Sequence, residues 1–126
     1  MENKVFISYS HEDAPWARAF AEELKSRGLT TWFDEWDVSP GASLSESIER
    51  GLRDSTAVVF IWGPKSRTSP NLFFELGAAV ALKKRVIPVL SRRSDIQMPV
   101  PLRQVRYIVQ DSPEEAAEEV ARAVAA

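Results

Sequence analysis

The chain of 126 residues contains no cysteine, one histidine and five glycines. Without cysteine there is no disulfide framework, no thiolate nucleophile and no Cys-based zinc site, a composition that fits a cytoplasmic protein. A single histidine, His11, rules out a multi-histidine metal site within one chain, and no metal or cofactor is expected. No apolar run reaches the length of a membrane span, and the first residues lead into a strand pattern rather than a signal peptide. Formal net charge is −2 with a pI near 5.5, so neither nucleic acid nor an anionic membrane is an expected direct partner. The short basic clusters Lys83-Lys84-Arg85 and Arg92-Arg93 read as solvated turns.

Several catalytic signatures are missing as well. The segment after the first strand, SYSHEDAPW, has no glycine, so the dinucleotide fingerprint of nicotinamide oxidoreductases is absent, and no P-loop occurs. A phosphoacceptor receiver needs an aspartate at the end of the third strand, where this chain has Trp62-Gly63. No G-x-S-x-G elbow is present, which leaves His11 without triad context and reads it as an ordinary exposed or loop-bonding residue.

The remaining pattern is regular. Lys4–Tyr9, Leu29–Phe33, Ala57–Trp62, Val86–Leu90 and Arg106–Val109 read as strands, and the uninterrupted AVVFIW has the character of a central strand buried on both faces. Pro88 suggests a strand end or an irregular ladder. Trp16, Phe20 and Leu24 predict a helix that starts near Asp13 and stops at Gly28, and Leu44, Ile48 and Leu52 predict another. A loop rich in turn residues runs from Asp34 to Ser43, and residues 91–104, with Pro99 and Pro101, are less regular. Ser112-Pro113-Glu114-Glu115 opens a last helix with a capping-box spacing, and Ala116, Val120, Ala123 and Val124 face inward. The alternation predicts one domain over 1–126 built as an α/β, doubly wound, five-stranded parallel sheet flanked by helices.

The chain is organised around Pro70–Leu90: a helix, a two-lysine turn and a buried strand. Leu72, Leu76, Ala79 and Val80 mark the core-facing stripe, and Glu75 is the only charged residue between Arg67 and Lys83. A carboxylate among Phe73, Phe74, Ala78 and Leu82 is costly to ionise unless something pairs with it, so Glu75 is either satisfied by a structural ion pair or held poorly solvated for chemistry. With Ser69 as N-cap and Pro70 at N1, Glu75 lies beyond the first turn; with Asn71 as N-cap the helix dipole still reaches it marginally. In doubly wound sheets ligands bind beyond the carboxyl ends of the strands. That rule gathers Tyr9, Ser10 and His11, Asp34 to Asp37, Trp62 and Gly63 around Glu75. One carboxylate, several aromatics and hydroxyls suit a sugar and a flat base. A single carboxylate suffices to stabilise the oxocarbenium-like transition state of N-glycosidic cleavage when the leaving group is already cationic.

The segments VFISYS, WFDEWDVSPGASLSESI, AVVFIWGPKSRTS and FFELGAAVALKKRVIPVL together resemble a prokaryotic Toll/interleukin-1 receptor (TIR) domain over nearly the whole chain. The E-L-G-A-A segment is shared with nucleoside deoxyribosyltransferases, whose corresponding glutamate attacks a ribosyl carbon. The resemblance implies a flavodoxin-like fold and an NAD⁺ glycohydrolase that releases nicotinamide, with a linear or cyclised ADP-ribose product. NAD⁺ is then substrate rather than cofactor. It implies Glu75 as the catalytic residue, with Tyr9, Ser10, Asp34, Trp36, Asp37 and Trp62 lining or bordering the substrate site. Activation by self-assembly with other TIR domains, through the Asp34–Ser43 loop, is implied too, as is a fused or separate sensor module in antiphage signalling. On that expectation the chain is a domain excised from a larger sensor-effector protein. The sequence departs from the family at Asn71, where relatives commonly place a tryptophan four residues before the glutamate, leaving Phe73 or Phe74 as stacking surface. Trp62-Gly63-Pro64 stands where a Ser-Pro pair is frequent. Two other readings stay open, a non-catalytic TIR–TIR scaffold and a nucleoside or nucleotide ribosyltransferase.

Overall fold

Strand β3 (Ala57–Trp62), the AVVFIW run, is buried at every position and forms the middle of a five-stranded sheet. A computed structural model describes residues 3–41, 43–63, 66, 69–90 and 105–125, with only the backbone described at 35, 36, 44, 45 and 71. The elements follow as β1 (Lys4–Ser8), a 3-10 turn at His11–Asp13, α1 (Ala14–Ser26), β2 (Thr30–Trp32), a short α2 (Asp34–Asp37), α3 (Leu44–Asp54), β3, α4 (Pro70–Ala81), β4 (Arg85–Leu90), β5 (Ile108–Val109) and α5 (Pro113–Ala125). Strand order is β2-β1-β3-β4-β5 and every neighbouring pair is parallel. The chain leaves β1 toward β2 on one side and returns to β3 on the other, so the switch point lies at β1.

Side chains alternate across a strand, so consecutive residues of the central strands feed two separate cores. Val5, Ile7, Val59, Ile61, Ile87 and Val89 pack under α1 and α5 against Phe20, Leu24, Ala116 and Val120. Phe6, Val58, Phe60 and Trp62 pack under α3 and α4 against Ile48, Leu52, Leu72, Leu76 and Ala79. Trp32 completes the second core, its ring stacked on Phe6 with centroids 4.4 Å apart. Among the described residues no helix is long and apolar enough to cross a membrane.

Apart from one-residue shifts at the ends of β1, β2 and β4, the structure departs from the expected pattern in four places. The Asp34–Ser43 stretch is not loop throughout, because its first four residues form α2, where Asp37 Oδ2 accepts the Phe33 N–H at 2.8 Å and holds the turn. Pro88 marks no strand end. It sits inside β4 opposite Phe60, and the ladder to β5 involves only Val89 and Leu90, beyond the position where proline lacks a donor. Val80 is 48% exposed, because the stripe Leu72, Leu76, Ala79 carries the contact and Val80 drifts to the helix flank, over the groove beside β5. The edge strand is shorter than Arg106–Val109. Residues 91–104 lie outside the described ones.

Helix ends follow the local chemistry. The Ser112 hydroxyl accepts the Glu115 N–H, as a capping box requires, while its proton goes to Glu114. Asp13 occupies the cap position of α1 but makes no side-chain cap bond, because its carboxylate is engaged by Ser10. Gly28 takes φ +86° and ends α1, a left-handed conformation that a side chain would strain.

Candidate functional site

Glu75 is carried on the second turn of α4, and the start of that helix is fixed by sequence. Ser69 is the N-cap, its Oγ accepting the Leu72 N–H, and Pro70 follows at N1. This choice over Asn71 places Glu75 past the first turn, where the helix dipole offers little. Glu75 is only 7% exposed. Its Oε1 accepts a hydrogen bond from the Ser8 hydroxyl at 2.7 Å, joining α4 to the carboxyl end of β1. Burial pushes the Glu75 carboxyl up to about 7; the Ser8 hydrogen bond opposes that rise, and the nearby Asp34 charge adds to it.

A cavity of about 190 Å³ opens beside this carboxylate at the switch point, lined by Ile7, Tyr9, His11, Trp32, Asp34, Ile48, Ser69 and Glu75. Strand β1 supplies its back wall. Tyr9 stacks on Phe33 with centroids 5.1 Å apart, and its hydroxyl donates to Asp34 Oδ1. Consecutive residues at the end of β1 thus hold both carboxylates of the cavity, Ser8 toward α4 and Tyr9 toward α2. The lining combines two carboxylates, two hydroxyls and an imidazole with a tryptophan face and aliphatic walls. Such a set can bind a sugar through its hydroxyls and favours positive charge on the ligand. Among the described residues no three His, Asp or Glu side chains converge as a metal site would require.

The loop after β1 is pinned from behind. Ser10 Oγ donates to Asp13 Oδ2 at 2.9 Å, and the Asp13 carboxylate packs against the backbone of Gly63 at the end of β3. A Cβ on Gly63 would come within 2.4 Å of that carboxylate, so a side chain there would have to displace it. Burial holds the Asp13 carboxyl above its ordinary range, Ser10 pulling it back and Glu12 adding to the rise.

Of the residues expected at the site, Glu75, Tyr9 and Asp34 are brought together around one cavity. Ser10 is buried behind it as the Asp13 partner, and Asp37 faces outward and caps α2. Trp62 does not line the cavity. It is buried in the second core, edge-on to Phe73 at 5.8 Å, and its Nε1 finds no hydrogen-bond partner among the described residues. Trp36 lies on α2 and Asn71 on α4, and both side chains fall outside those described. Neither Phe73 nor Phe74 lines the cavity, and Phe74 is 64% exposed. His11, expected as an ordinary loop residue, stands exposed at the cavity rim. Ser8 is not singled out by the sequence, and Ser69 is read there only as the N-cap of α4. Ser8 was legible in principle, since alternation from Phe6 places it on the α4 face, where a polar residue needs a partner.

The family model described as TIR domain matches residues 5–124. The chain is 47% identical over 55 residues to the NAD(+) hydrolase TcpA of Theionarchaea archaeon (strain DG-70-1), covering 43% of this chain and 17% of that protein. It is 40% identical over 55 residues to the 2′ cyclic ADP-D-ribose synthase AbTIR of Acinetobacter baumannii (strain 1295743), covering 43% and 20% respectively. Each match therefore spans a fifth or less of the relative's length. The TIR domain of the Toll-related receptor TRR-2 from Hydra magnipapillata superposes with a TM-score of 0.81 at 21% identity, covering 97% of this chain and 98% of that one, a likeness of fold. With the family matched across nearly its full length on a parallel sheet of this order, the chain belongs to the Toll/interleukin-1 receptor (TIR) domain family.

Proposed function

We propose that this domain cleaves NAD⁺ at the N-glycosidic bond to nicotinamide, with Glu75 as the catalytic carboxylate. The observation that carries the reading is the secluded Glu75 carboxylate, tied to Ser8 and facing a small, acid-lined cavity at the switch point. Similarity to relatives named for NAD⁺ hydrolysis and for cyclic ADP-ribose synthesis supports it.

The chemistry needs little more. The bond between the ribose anomeric carbon and the pyridinium nitrogen breaks with its electron pair going to nitrogen, and nicotinamide leaves neutral without a general acid. Positive charge appears on the sugar carbon, beside Glu75, whose ionised carboxylate stabilises it. Water adds to that carbon and releases a proton to give ADP-ribose, or a hydroxyl of the same molecule adds and gives a cyclic product. In this reading Asp34, Tyr9 and Ser69 bind ribose hydroxyls, while Trp32 and Ile48 supply apolar wall. Bound pyridinium between two carboxylates favours ionised Glu75, so substrate binding drives its proton off.

The cavity falls below the roughly 300 Å³ at which small-molecule sites usually begin. A second copy completing the site is consistent with that shortfall, and we extend the proposal to activation by self-assembly under a sensor in antiphage signalling. The test is chromatography of NAD⁺ incubations across a wide protein range. Nicotinamide release rising more steeply than protein concentration supports the assembly-gated enzyme. Base exchange between nucleosides, with no nicotinamide from NAD⁺ alone, would point to a ribosyltransferase. Assembly without turnover at any concentration would favour the scaffold reading.

A further inference from the structure

We propose that Ser8 is a positioning residue for Glu75: its hydroxyl fixes Oε1 to the end of β1 and leaves Oε2 as the oxygen that meets the ribosyl carbon. The proposal rests on the NAD⁺-cleaving reading for its chemistry but not for its geometry.

Three observations support it. The Ser8 and Glu75 side chains are both buried, and the bond between them is short at 2.7 Å. It is the one hydrogen bond the described residues make to the Glu75 carboxylate, and it falls on Oε1, so none of them bonds Oε2. Ser8 is also held rigidly, because β1 is paired on both sides and Ser8 itself lies opposite Phe60 of β3. Helix α4 alone would leave the Glu75 side chain free to rotate about its last torsion, exchanging the two oxygens. A donor on the strand removes that freedom and sets one oxygen toward the cavity. The same bond favours the carboxylate over the acid, because a hydroxyl donating to an ionised carboxylate is charge-assisted. Burial and the Asp34 charge work in the opposite direction. Ser8 is therefore the group that keeps Glu75 usable near neutral pH in a site that otherwise disfavours its charge. Tyr9 engages Asp34 on the neighbouring side, and His11 at the rim is the remaining titratable group that lines the cavity.

The test is the titration of Glu75 in the native chain, Ser8→Ala and Ser8→Thr, followed by carbon-13 NMR of labelled glutamate carboxyl groups. The Glu75 resonance is identified by its disappearance in Glu75→Gln. Ser8→Ala is expected to raise the Glu75 midpoint by about one pH unit, the scale of one charge-assisted hydrogen bond. Ser8→Thr, which keeps the hydroxyl, is expected to restore it. In parallel, the acid limb of kcat/KM for NAD⁺ should move up by the same amount in Ser8→Ala. Activity would then fall about tenfold more at pH 6 than in alkali, where the deficit that remains reports the lost orientation alone. An unchanged midpoint in a folded Ser8→Ala variant would overturn the proposal, as would full recovery of native kcat/KM in alkali, since a carboxylate freed to rotate keeps a deficit there. If no variant cleaves NAD⁺, the functional reading fails while the titration still decides the role of Ser8.

Discussion

The two faces of the sheet are built from alternate residues of the same strands, yet they differ in kind. Under α1 and α5 the core is aliphatic and aromatic throughout, closed by Phe20, Leu24, Val120 and two buried alanines of α5. Under α3 and α4 the core holds Trp32 and Trp62, an indole N–H without a partner among the described residues, and at its rim a buried carboxylate beside a cavity. One face is apolar packing that stabilises the fold. The other retains polar groups that a stability-optimised core would exclude, the pattern expected where desolvation serves a site.

The contrast can be broken from either side. The largest stability effect is expected on the first face, where Phe20→Ala should cost about 3–5 kcal/mol in denaturant melts, because the Phe20 side chain is fully buried against Trp16 and the sheet. The folded fraction should retain its chemistry.

On the second face the sign reverses at Glu75. Its carboxyl moves from 4.5 when unfolded to about 7 when folded, so the native state binds more protons between those values and stability falls as pH rises through that window. Glu75→Gln removes this penalty. The variant should exceed the native chain by up to roughly 3 kcal/mol at pH 8, with the difference vanishing below about pH 4.5. Equal stability at both pH values would mean that Glu75 is not held against its charge.

A smaller effect should come from Gly51→Ala on α3. The new Cβ would lie 2.7 Å from the Trp32 indole, and displacing that ring should cost about 1–3 kcal/mol while disturbing the cavity wall. A rise in KM for NAD⁺ beyond the stability loss would tie Trp32 to the substrate side.

Most of the first face was legible in sequence. Phe20 and Leu24, and Val120 and Val124, recur at helical spacing and are buried as that spacing predicts. The AVVFIW strand runs over the expected six residues. The site was legible only in part. Glu75 stood out because charge is scarce around it, and Tyr9 and Asp34 because strand ends converge in a doubly wound sheet. Ser8 was hidden because a serine at a strand end looks like the start of a turn, and its significance depends on which helix crosses above. Trp62 was drawn toward the site by the same strand-end rule, but its side chain turns down into the α4 core. Asp37 was likewise adjacent in sequence and aimed elsewhere, because α2 rotates it away from the Tyr9–Asp34 pair. Position along the chain identifies which strand end a residue follows, while helical phase decides where its side chain points.

The most direct measurement is nicotinamide release from NAD⁺ by the native chain and Glu75→Gln, compared at equal folded concentration above pH 7. The account predicts turnover in the native chain and at least a hundredfold loss in a variant that is folded and no less stable. Equal release by the two proteins would contradict it, because the carboxylate on which the second face is organised would then have no part in the chemistry.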